Sequence, residues 1–530
     1  MGIKLLDCTL RDGGHLNHSK FGEAIIRNLI IGLEKTRVDI VEIGFVRENE
    51  VGRDYAAADD ITEWDERFNL SDENVEYCVM IQEDQYDIRK LPVCNGKIKR
   101  VRVSFHDYDR EEGLAFCEQV IQKGYFCHVN PINITGYTDE EILYLIRRVN
   151  EMNAAAFTLV DTFGSMTKDD LLRFFTLANH NLRSNVAIGL HFHDNLKMAF
   201  SLAQTAAEIA SDKREVIIDG SLLGMGRKPG NLSLELIMEH LNRSAAGVYD
   251  VDTALDLIDD IIVKLREKHP WGYETAYSLS AQYKLHRTYA EYLMKKQKLR
   301  TKEIRQILGM ISVAKSSRFD EGYVEGLYQQ FISVNTDDKE IRSLLYRIVK
   351  SREILLLAPG SSINHAKDRL IKWITEKKPF IISANFKCSY ITEDRIFCSN
   401  LKRLEYLKLQ QPDVERLILA SHVALAAAGE YAVVNTNELA WFGNFFWDNC
   451  MLMLLNLLKS IGIKSCYVAG WDGFTEEDNF VDSNMESSYR YVEENEKVIS
   501  ILNTVLSDLK INFLTPSIYQ KGGSKNSEKQ

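Results

Sequence analysis

A strand-like segment, Ile3 to Asp7, leads into Thr9-Leu10-Arg11-Asp12-Gly13-Gly14-His15, and far downstream a second strand-like segment ends in His191-Phe192-His193. One carboxylate, two imidazoles, an arginine and a third histidine suffice for metal-assisted chemistry on a carbonyl group. Residues two apart on an extended strand point to the same side, so His191 and His193 can share one ion while Phe192 packs behind them. Asp12 must then arrive from another strand, and a barrel of parallel strands brings every strand end to one rim. Taken alone, a His-x-His pair is more often a pair of partly buried, hydrogen-bonded histidines than a metal site.

The elements that would position these groups are legible as an alternation. Eight β-rich runs (Ile3–Asp7, Val38–Gly44, Val75–Ile81, Val101–Phe105, Tyr125–Asn130, Phe157–Val160, Val186–His191 and Val216–Asp219) are each separated by enough chain for a crossover helix. That pattern predicts an α/β fold, a closed (β/α)8 TIM barrel over residues 1–240. An open doubly wound sheet is the alternative. It is disfavoured because no Gly-x-Gly-x-x-Gly turn follows the first run and polar residues recur at several strand ends. Residues 241–335 read as a helical extension, with Leu255, Ile258, Ile261, Ile262 and Leu265 on one face and Pro270 closing that helix.

A second domain is expected over 350–515. It opens with Ile354–Leu357 running into Ala358-Pro359-Gly360-Ser361-Ser362, and further strands fall at Phe380–Ser383, Leu417–Ala420, Tyr431–Val434 and Cys466–Gly470. This is a Rossmann-like α/β pattern. Ser361 and Ser362 would cap a helix and leave backbone N–H groups facing an anion, although such turns often only start a helix. The polar tail, 516–530, reads as disordered.

The chain has 530 residues, enough for two or three cores, and its 45% hydrophobic and 27% charged residues are ordinary for a globular protein. A formal net charge of −11 argues against nucleic acid as a partner. Nine scattered cysteines without a Cys-x-x-Cys pair fit reduced thiols in a cytoplasmic protein. The N-terminus enters a strand directly, so no signal peptide is expected, and the most apolar run, Met451 to Leu458, is too short to cross a membrane.

Asp7 to His15, the His191-Phe192-His193 strand end and the loop Gly224-Met225-Gly226-Arg227-Lys228-Pro229-Gly230-Asn231 resemble, in this order, the DRE-TIM metallolyase (HMGL-like) family over roughly residues 1–300. The resemblance is greatest to 4-hydroxy-2-oxovalerate aldolases. It implies that Asp12, His191 and His193 bind a divalent cation, Mn²⁺ or Mg²⁺ with Zn²⁺ and Co²⁺ also suited, and that Asn231 adds a fourth ligand. It further implies that Arg11 stabilises the enolate of a 2-oxo acid and that His15 removes the C4 hydroxyl proton, unless His15 only packs the loop. Val160-Asp161-Thr162-Phe163-Gly164-Ser165-Met166 matches a family strand end, which makes Thr162 a contact for the substrate carboxylate. Glu42 sits where the family has a rim carboxylate that meets substrate, or else pairs with a base such as Arg102. Tyr277 and Tyr283 are the candidates for a pocket tyrosine.

The implied activity is a metal-dependent carbon–carbon lyase, an aldolase joining or splitting pyruvate and an aldehyde. Residues 224–231 lack the cysteine of hydroxymethylglutaryl-CoA lyase. Their resemblance to acyl-CoA-dependent synthases keeps an isopropylmalate- or homocitrate-type condensation as the alternative, and a non-catalytic barrel is a third. The second domain resembles the nucleotide-binding half of sialyltransferase-like and MAF-type glycosylation proteins. That likeness implies a nucleotide or nucleotide-sugar near Gly360, Ser361, Ser362, Asn385 and Asp472, and a place in sugar-acid or surface-polysaccharide biosynthesis. A homodimer is compatible with this composition.

Overall fold

The computed structural model describes residues 2–70, 75–211, 213–243, 248–410, 413–477, 479–481 and 491–520. The chain divides into two compact units, Met1–Glu291 with Ser312–Phe319, and Tyr292–Ile311 with Asp320–Gln530. The extension expected as one block over 241–335 is therefore shared between them. Among the described residues no helix is long and apolar enough to cross a membrane. The expected tail begins later than 516: Tyr519 is buried and packs on Trp471 with ring centroids 4.8 Å apart. The rest, 521–530, lies outside the described residues.

The first unit is the TIM barrel. Its strands are β1 (Ile3–Asp7), β2 (Ile40–Val46), β3 (Glu76–Gln82), β4 (Ile98–Phe105), β5 (Phe126–Pro131), β6 (Ala156–Asp161), β7 (Ala187–Phe192) and β8 (Val216–Gly220). All pair in parallel, and β1 closes the ring by pairing with both β8 (Ile3 opposite Val216) and β2 (Leu6 opposite Ile40). A barrel of eight strands has just enough interior for side chains, so what fills it decides what the rim can do. Its floor is apolar: Leu6, Cys8, Ile40, Cys78, Ala156, Ala187 and Ile217 form one buried cluster. Two residues further along their strands, on the same inward side, stand Glu42 on β2 and Asp219 on β8. The interior thus turns from apolar to ionic on the way to the rim.

The segment expected as an opening loop is a helix, α1 (Thr9–Asn17). Asp7 starts it, accepting the Thr9 backbone N–H at 3.1 Å and the Thr9 hydroxyl at 2.6 Å. Gly13 and Gly14 serve closeness here: a Cβ on Gly13 would meet Met225 at 3.0 Å, and one on Gly14 would meet the Ser19 Oγ at 2.7 Å. The helix lies tightly on the rim for lack of those two side chains.

The second unit holds a seven-stranded, all-parallel sheet: β9 (Ile354–Leu357), β10 (Phe380–Ala384), β11 (Arg395–Cys398), β12 (Leu417–Ala420), β13 (Ala432–Val434), β14 (Ser465–Ala469) and β15 (Lys510–Phe513). The spatial order is β13-β12-β11-β10-β9-β14-β15, so the order of strands reverses between β9 and β14. Strands β11 and β15 were not expected from the sequence; each opens on a basic residue, Arg395 and Lys510, that interrupts the apolar run.

Candidate metal centre

Six side chains from four strands and α1 form a closed ring of polar contacts at the top of the barrel. Asp12 Oδ2 accepts from Arg11 at 2.6 Å, and Arg11 Nε donates to Glu42 Oε2 at 2.8 Å. Glu42 Oε2 also accepts from Arg102 at 3.1 Å, and Arg102 in turn donates to Asp219 Oδ2. Asp219 Oδ2 lies 2.9 Å from His191 Nδ1, and His191 Nε2 lies 3.3 Å from Asp12 Oδ2, which closes the circuit. Every member is at most 4% exposed. Three carboxylates against two guanidiniums leave one net negative charge when His191 is neutral, in a place where unpaired charge is expensive.

The imidazoles show what that charge is for. His191 Nδ1 faces a carboxylate and His193 Nδ1 faces the Asp161 carbonyl at 3.0 Å, so hydrogen bonding assigns the proton to Nδ1 in both rings. Both Nε2 lone pairs then turn toward the same oxygen, Asp12 Oδ2, at 3.3 and 4.0 Å. Three acceptors converging on one point repel unless a proton or a cation stands among them. Donors held at about 2.1 Å from an octahedral ion lie roughly 3 Å (adjacent) to 4 Å (opposite) apart, and these spacings fall in that span. Burial and the neighbouring His191 take the His193 pKa down to about 3, which keeps its Nε2 lone pair available. Burial alone would lower the His191 pKa, but Asp12 and Asp219 outweigh it and raise it.

Asn231 reaches the same place. Its amide donates to the Met225 carbonyl at 3.2 Å, while its buried Oδ1 has no partner. A Cβ on Gly226 would meet both the Asn231 amide and, at 2.9 Å, Asp12 Oδ1, so the two residues flank one glycine. Cys8 is the competing third donor, since its Sγ lies within 4.8 Å of ligand atoms of Asp12 and His191. Its thiol donates to the Gly220 carbonyl at 3.3 Å and burial pushes its pKa well up, so it stays protonated and is the poorer ligand. The buried orphan oxygen, the two oriented imidazoles and the carboxylate together fit a hard divalent cation.

Above this ring is a cavity of about 280 Å³, lined among others by Arg11, Asp12, His15, Thr162, His191 and His193. The Arg11 Nη2 is buried without a partner. Thr162 Oγ1 accepts the Asn133 backbone N–H at 2.7 Å, which leaves its own O–H free to donate inward. The His15 ring meets Phe45 edge-on with centroids 5.5 Å apart. Depth within the mouth lowers its pKa to about 3, against the pull of Asp12 and with the push of Arg227 and Arg11. The exposed side of His15 opens on the cavity, and its imidazole is neutral at pH 7.

Several expectations require correction. Glu42 does not line the cavity. Fully buried and shared by Arg11 and Arg102, it is a positioning group rather than a substrate contact, the second of the two roles its position allowed. Neither candidate tyrosine reaches the cavity: Tyr277 is buried against Glu291 at 2.5 Å and Tyr283 points to solvent. Within the expected helical extension the chain forms two helices, Thr275–Gln282 and Thr288–Lys295, and the break between them delivers His286 and Arg287 to the cavity instead. Asp219, which fixes His191, was missed; its signal was a lone acid at the inward end of an apolar strand, Val216-Ile217-Ile218-Asp219.

In the second unit a cavity of about 320 Å³ is lined by Gly360, Asn385 and Asp472, which follow β9, β10 and β14. Ser361 and Ser362 do not line it. The N–H groups expected to face an anion are already used: Gly360 donates to the Gly470 carbonyl at 2.8 Å, Ser361 to the Asn479 carbonyl at 2.6 Å and Ser362 to Asp472 Oδ2 at 2.9 Å. Asp472 occupies the position an anion would take.

Comparison with known proteins agrees with the barrel. The oxaloacetate decarboxylase of Mycobacterium tuberculosis (strain ATCC 25618 / H37Rv) is 22% identical over 254 residues, 48% of this chain and 74% of that protein. A 4-hydroxy-2-oxovalerate aldolase of Moorella thermoacetica (strain ATCC 39073 / JCM 9320) is 23% identical over 276 residues, covering 49% and 78%. One of Pseudoalteromonas translucida (strain TAC 125) is 29% identical over 131 residues, 24% of this chain but only 37% of its own length. All three likenesses span about half of the present chain or less. A family model described as HMGL-like matches residues 2–263, and the N-terminal domain of this chain belongs to that family of lyases and aldolases.

Proposed function

We propose that the barrel is a divalent-metal-dependent aldolase that cleaves or forms a 4-hydroxy-2-oxo acid from pyruvate, or a near relative, and an aldehyde. The observation that carries this reading is the convergence of the His191 and His193 Nε2 lone pairs on Asp12 Oδ2. A divalent cation, Mn²⁺ or Mg²⁺ with Zn²⁺ or Co²⁺ also suited, would be held by Asp12, His191, His193 and Asn231 and would supply Lewis acidity at the 2-oxo acid carbonyl.

The remaining chemistry falls to the chain's own groups. Thr162 donates its free O–H to the substrate carboxylate. Arg11, fixed through Nε by Glu42, offers its unpartnered Nη2 to the oxygen on which enolate charge collects. In cleavage, neutral His15 takes the C4 hydroxyl proton, the C3–C4 electron pair moves into the enolate, and the aldehyde departs. Protonation of the enolate carbon then yields pyruvate. Addition runs these steps backward.

Exchange of the pyruvate methyl protons for deuterium, followed by NMR in D₂O, tests the reading. Exchange that depends on added Mn²⁺ supports it, and absence of exchange with every metal tried refutes it. A second reading is favoured by the decarboxylase among the relatives: loss of CO₂ from oxaloacetate generates the same enolate and needs no base at C4. Mn²⁺-dependent CO₂ release that survives His15→Ala would select it.

For the second unit the proposal is a ligand cavity at the point where strand order reverses, the usual binding crevice of open parallel sheets, with a nucleotide or nucleotide-sugar as ligand. Saturation-transfer NMR with a panel of nucleoside monophosphates tests it, and Asn385→Ala should abolish any signal found.

A further inference from the structure

The mouth of the barrel carries more positive charge than its ring requires. Of the cations lining the cavity, Arg11 and Arg102 are held by the ring carboxylates and Lys228 pairs with Glu274 at 3.1 Å. Arg227, Arg287 and Arg318 have no carboxylate within ion-pair distance among the described residues, and the Arg287 Nε is buried without any hydrogen-bond partner. Asp107 is the acid that lines the cavity besides Asp12, and it is exposed. Glu291, which also acts electrostatically on Arg227, is engaged by the Tyr277 hydroxyl. The Arg227 and Arg287 guanidiniums repel one another, Arg318 stands exposed at the mouth over the Tyr108 ring, and a shielded donor without a partner is costly. Both conditions are relieved by an anion with several acceptor oxygens, which the planar guanidinium fork binds in two-point fashion.

Their placement says which part of a substrate that anion belongs to. The Arg227 backbone N–H donates to Asp12 Oδ1 at 2.9 Å, so this arginine is rooted at the metal centre. Arg287 enters from the break before helix Thr288–Lys295, beside His286, whose N–H donates to the Ser316 carbonyl at 2.8 Å. Arg318 belongs to the neighbouring stretch, where the Tyr289 hydroxyl donates to the Lys315 and Arg318 carbonyls at 2.8 and 2.9 Å. His15 lies within electrostatic reach of Asp12, Arg11, Arg227 and Arg287. Arg287 and Arg318 come from the 286–319 stretch and not from α1 or the strand end that carry the metal-site residues, so a molecule reacting at His15 in this cavity also meets guanidiniums from outside the ring.

We propose that Arg227, Arg287 and Arg318 form an anion subsite, and that the aldehyde partner of this enzyme carries a phosphate or carboxylate group distal to its reacting carbon. The inference rests on the aldolase reading above, in which the pyruvate carboxylate is taken by Thr162 and the metal centre. It narrows the substrate class from any aldehyde to an anionic one.

Binding to the metal-free full-length protein, measured by isothermal titration calorimetry, tests the subsite without catalysis. The probes are glycerol 3-phosphate, 3-hydroxypropanoate, glycerol and coenzyme A. Binding of glycerol 3-phosphate or 3-hydroxypropanoate, none of glycerol, and a weakening of tenfold or more in Arg287→Gln are expected; which anion binds more tightly identifies the group. Arg227→Gln is the second variant should the first fold poorly. Equal binding of glycerol and the anions, no anion binding, or unchanged affinity in both variants overturns the subsite. Coenzyme A binding more tightly than either small anion also overturns it, in favour of an acyl-CoA substrate. With Mn²⁺ and pyruvate, kcat/KM for glyceraldehyde 3-phosphate or succinic semialdehyde should exceed that for their uncharged analogues by tenfold or more. Deuterium exchange into pyruvate on the same preparation separates the two claims. Exchange without preference for an anionic aldehyde overturns the subsite and leaves the aldolase standing, whereas anion binding without exchange leaves the subsite standing and overturns the aldolase.

Discussion

Replacing Asp219 by asparagine probes the ring most sharply, because it removes a charge while keeping an oxygen for His191 Nδ1–H. Asp219 Oδ2 touches His191 at 2.9 Å and also accepts from Arg102. A dication on the far nitrogen of that imidazole would sit roughly 6 Å from the lost charge, which at an effective dielectric of about 20 is worth about 5 kcal/mol. That is a ceiling, since Arg102 loses its partner in the same step and its freed positive charge can turn toward Glu42. Carboxylates behind metal-bound histidines account for 10–100-fold in affinity, about 1.4–2.7 kcal/mol, and this is the expected loss. The assay is Mn²⁺ titration of metal-free protein followed by electron paramagnetic resonance, with far-UV circular dichroism to confirm folding. A Mn²⁺ affinity within twofold of the parent would refute the reasoning, because His191 would then need no carboxylate behind it.

Other outcomes follow from the same geometry. His15→Ala should slow aldol cleavage 10²–10⁴-fold while Mn²⁺-dependent exchange into pyruvate persists, and equal loss of both would remove His15 from its role as base. Because His191 must shed its proton to ligate and its pKa is raised by Asp12 and Asp219, Mn²⁺ affinity should fall up to tenfold per pH unit below a midpoint above 6.5; a flat profile between pH 5 and 8 would contradict this. In the second unit, burial raises the Asp448 pKa but Lys298 and Tyr328 outweigh it, bringing it to about 2. A carboxylate depressed from 3.8 stabilises the fold above that pH and loses the contribution as pH falls toward 2, about 2 kcal/mol in all. Asp448→Asn should therefore lower thermal stability at pH 7 and flatten its decline between pH 4 and 2, as calorimetry would show.

The residues that proved hardest to read are those whose meaning is set by distant neighbours. Eight barrel strands were visible because each is a short apolar run bounded by polar residues, and the observed bounds differ from the expected ones by at most three residues, with Ile3–Asp7 matching at both ends. Strand parity put the two imidazoles on one side, whereas Asp12 came in through the family resemblance and reaches them from α1 rather than from a strand. Gly13 and Gly14 answer to close contacts with Met225 and Ser19, of which Met225 is some two hundred residues away and carries no local signal. Glu42 was ambiguous because only the barrel interior shows that Arg102, some sixty residues away, takes its oxygen. The Gly-Ser-Ser turn looked open to an anion, yet Asp472 from β14's end fills it, a pairing 110 residues long that local pattern does not carry. Arg287 reached the cavity through the break between helices Thr275–Gln282 and Thr288–Lys295, which the expectation of a helical extension does not mark.

Anomalous diffraction from a crystal grown with Mn²⁺, recorded at the manganese absorption edge, tests the central claim directly. The account predicts a peak at the barrel rim bonded to an Asp12 oxygen and to Nε2 of both His191 and His193. A rim empty of signal, or a manganese peak away from those three atoms, would contradict it.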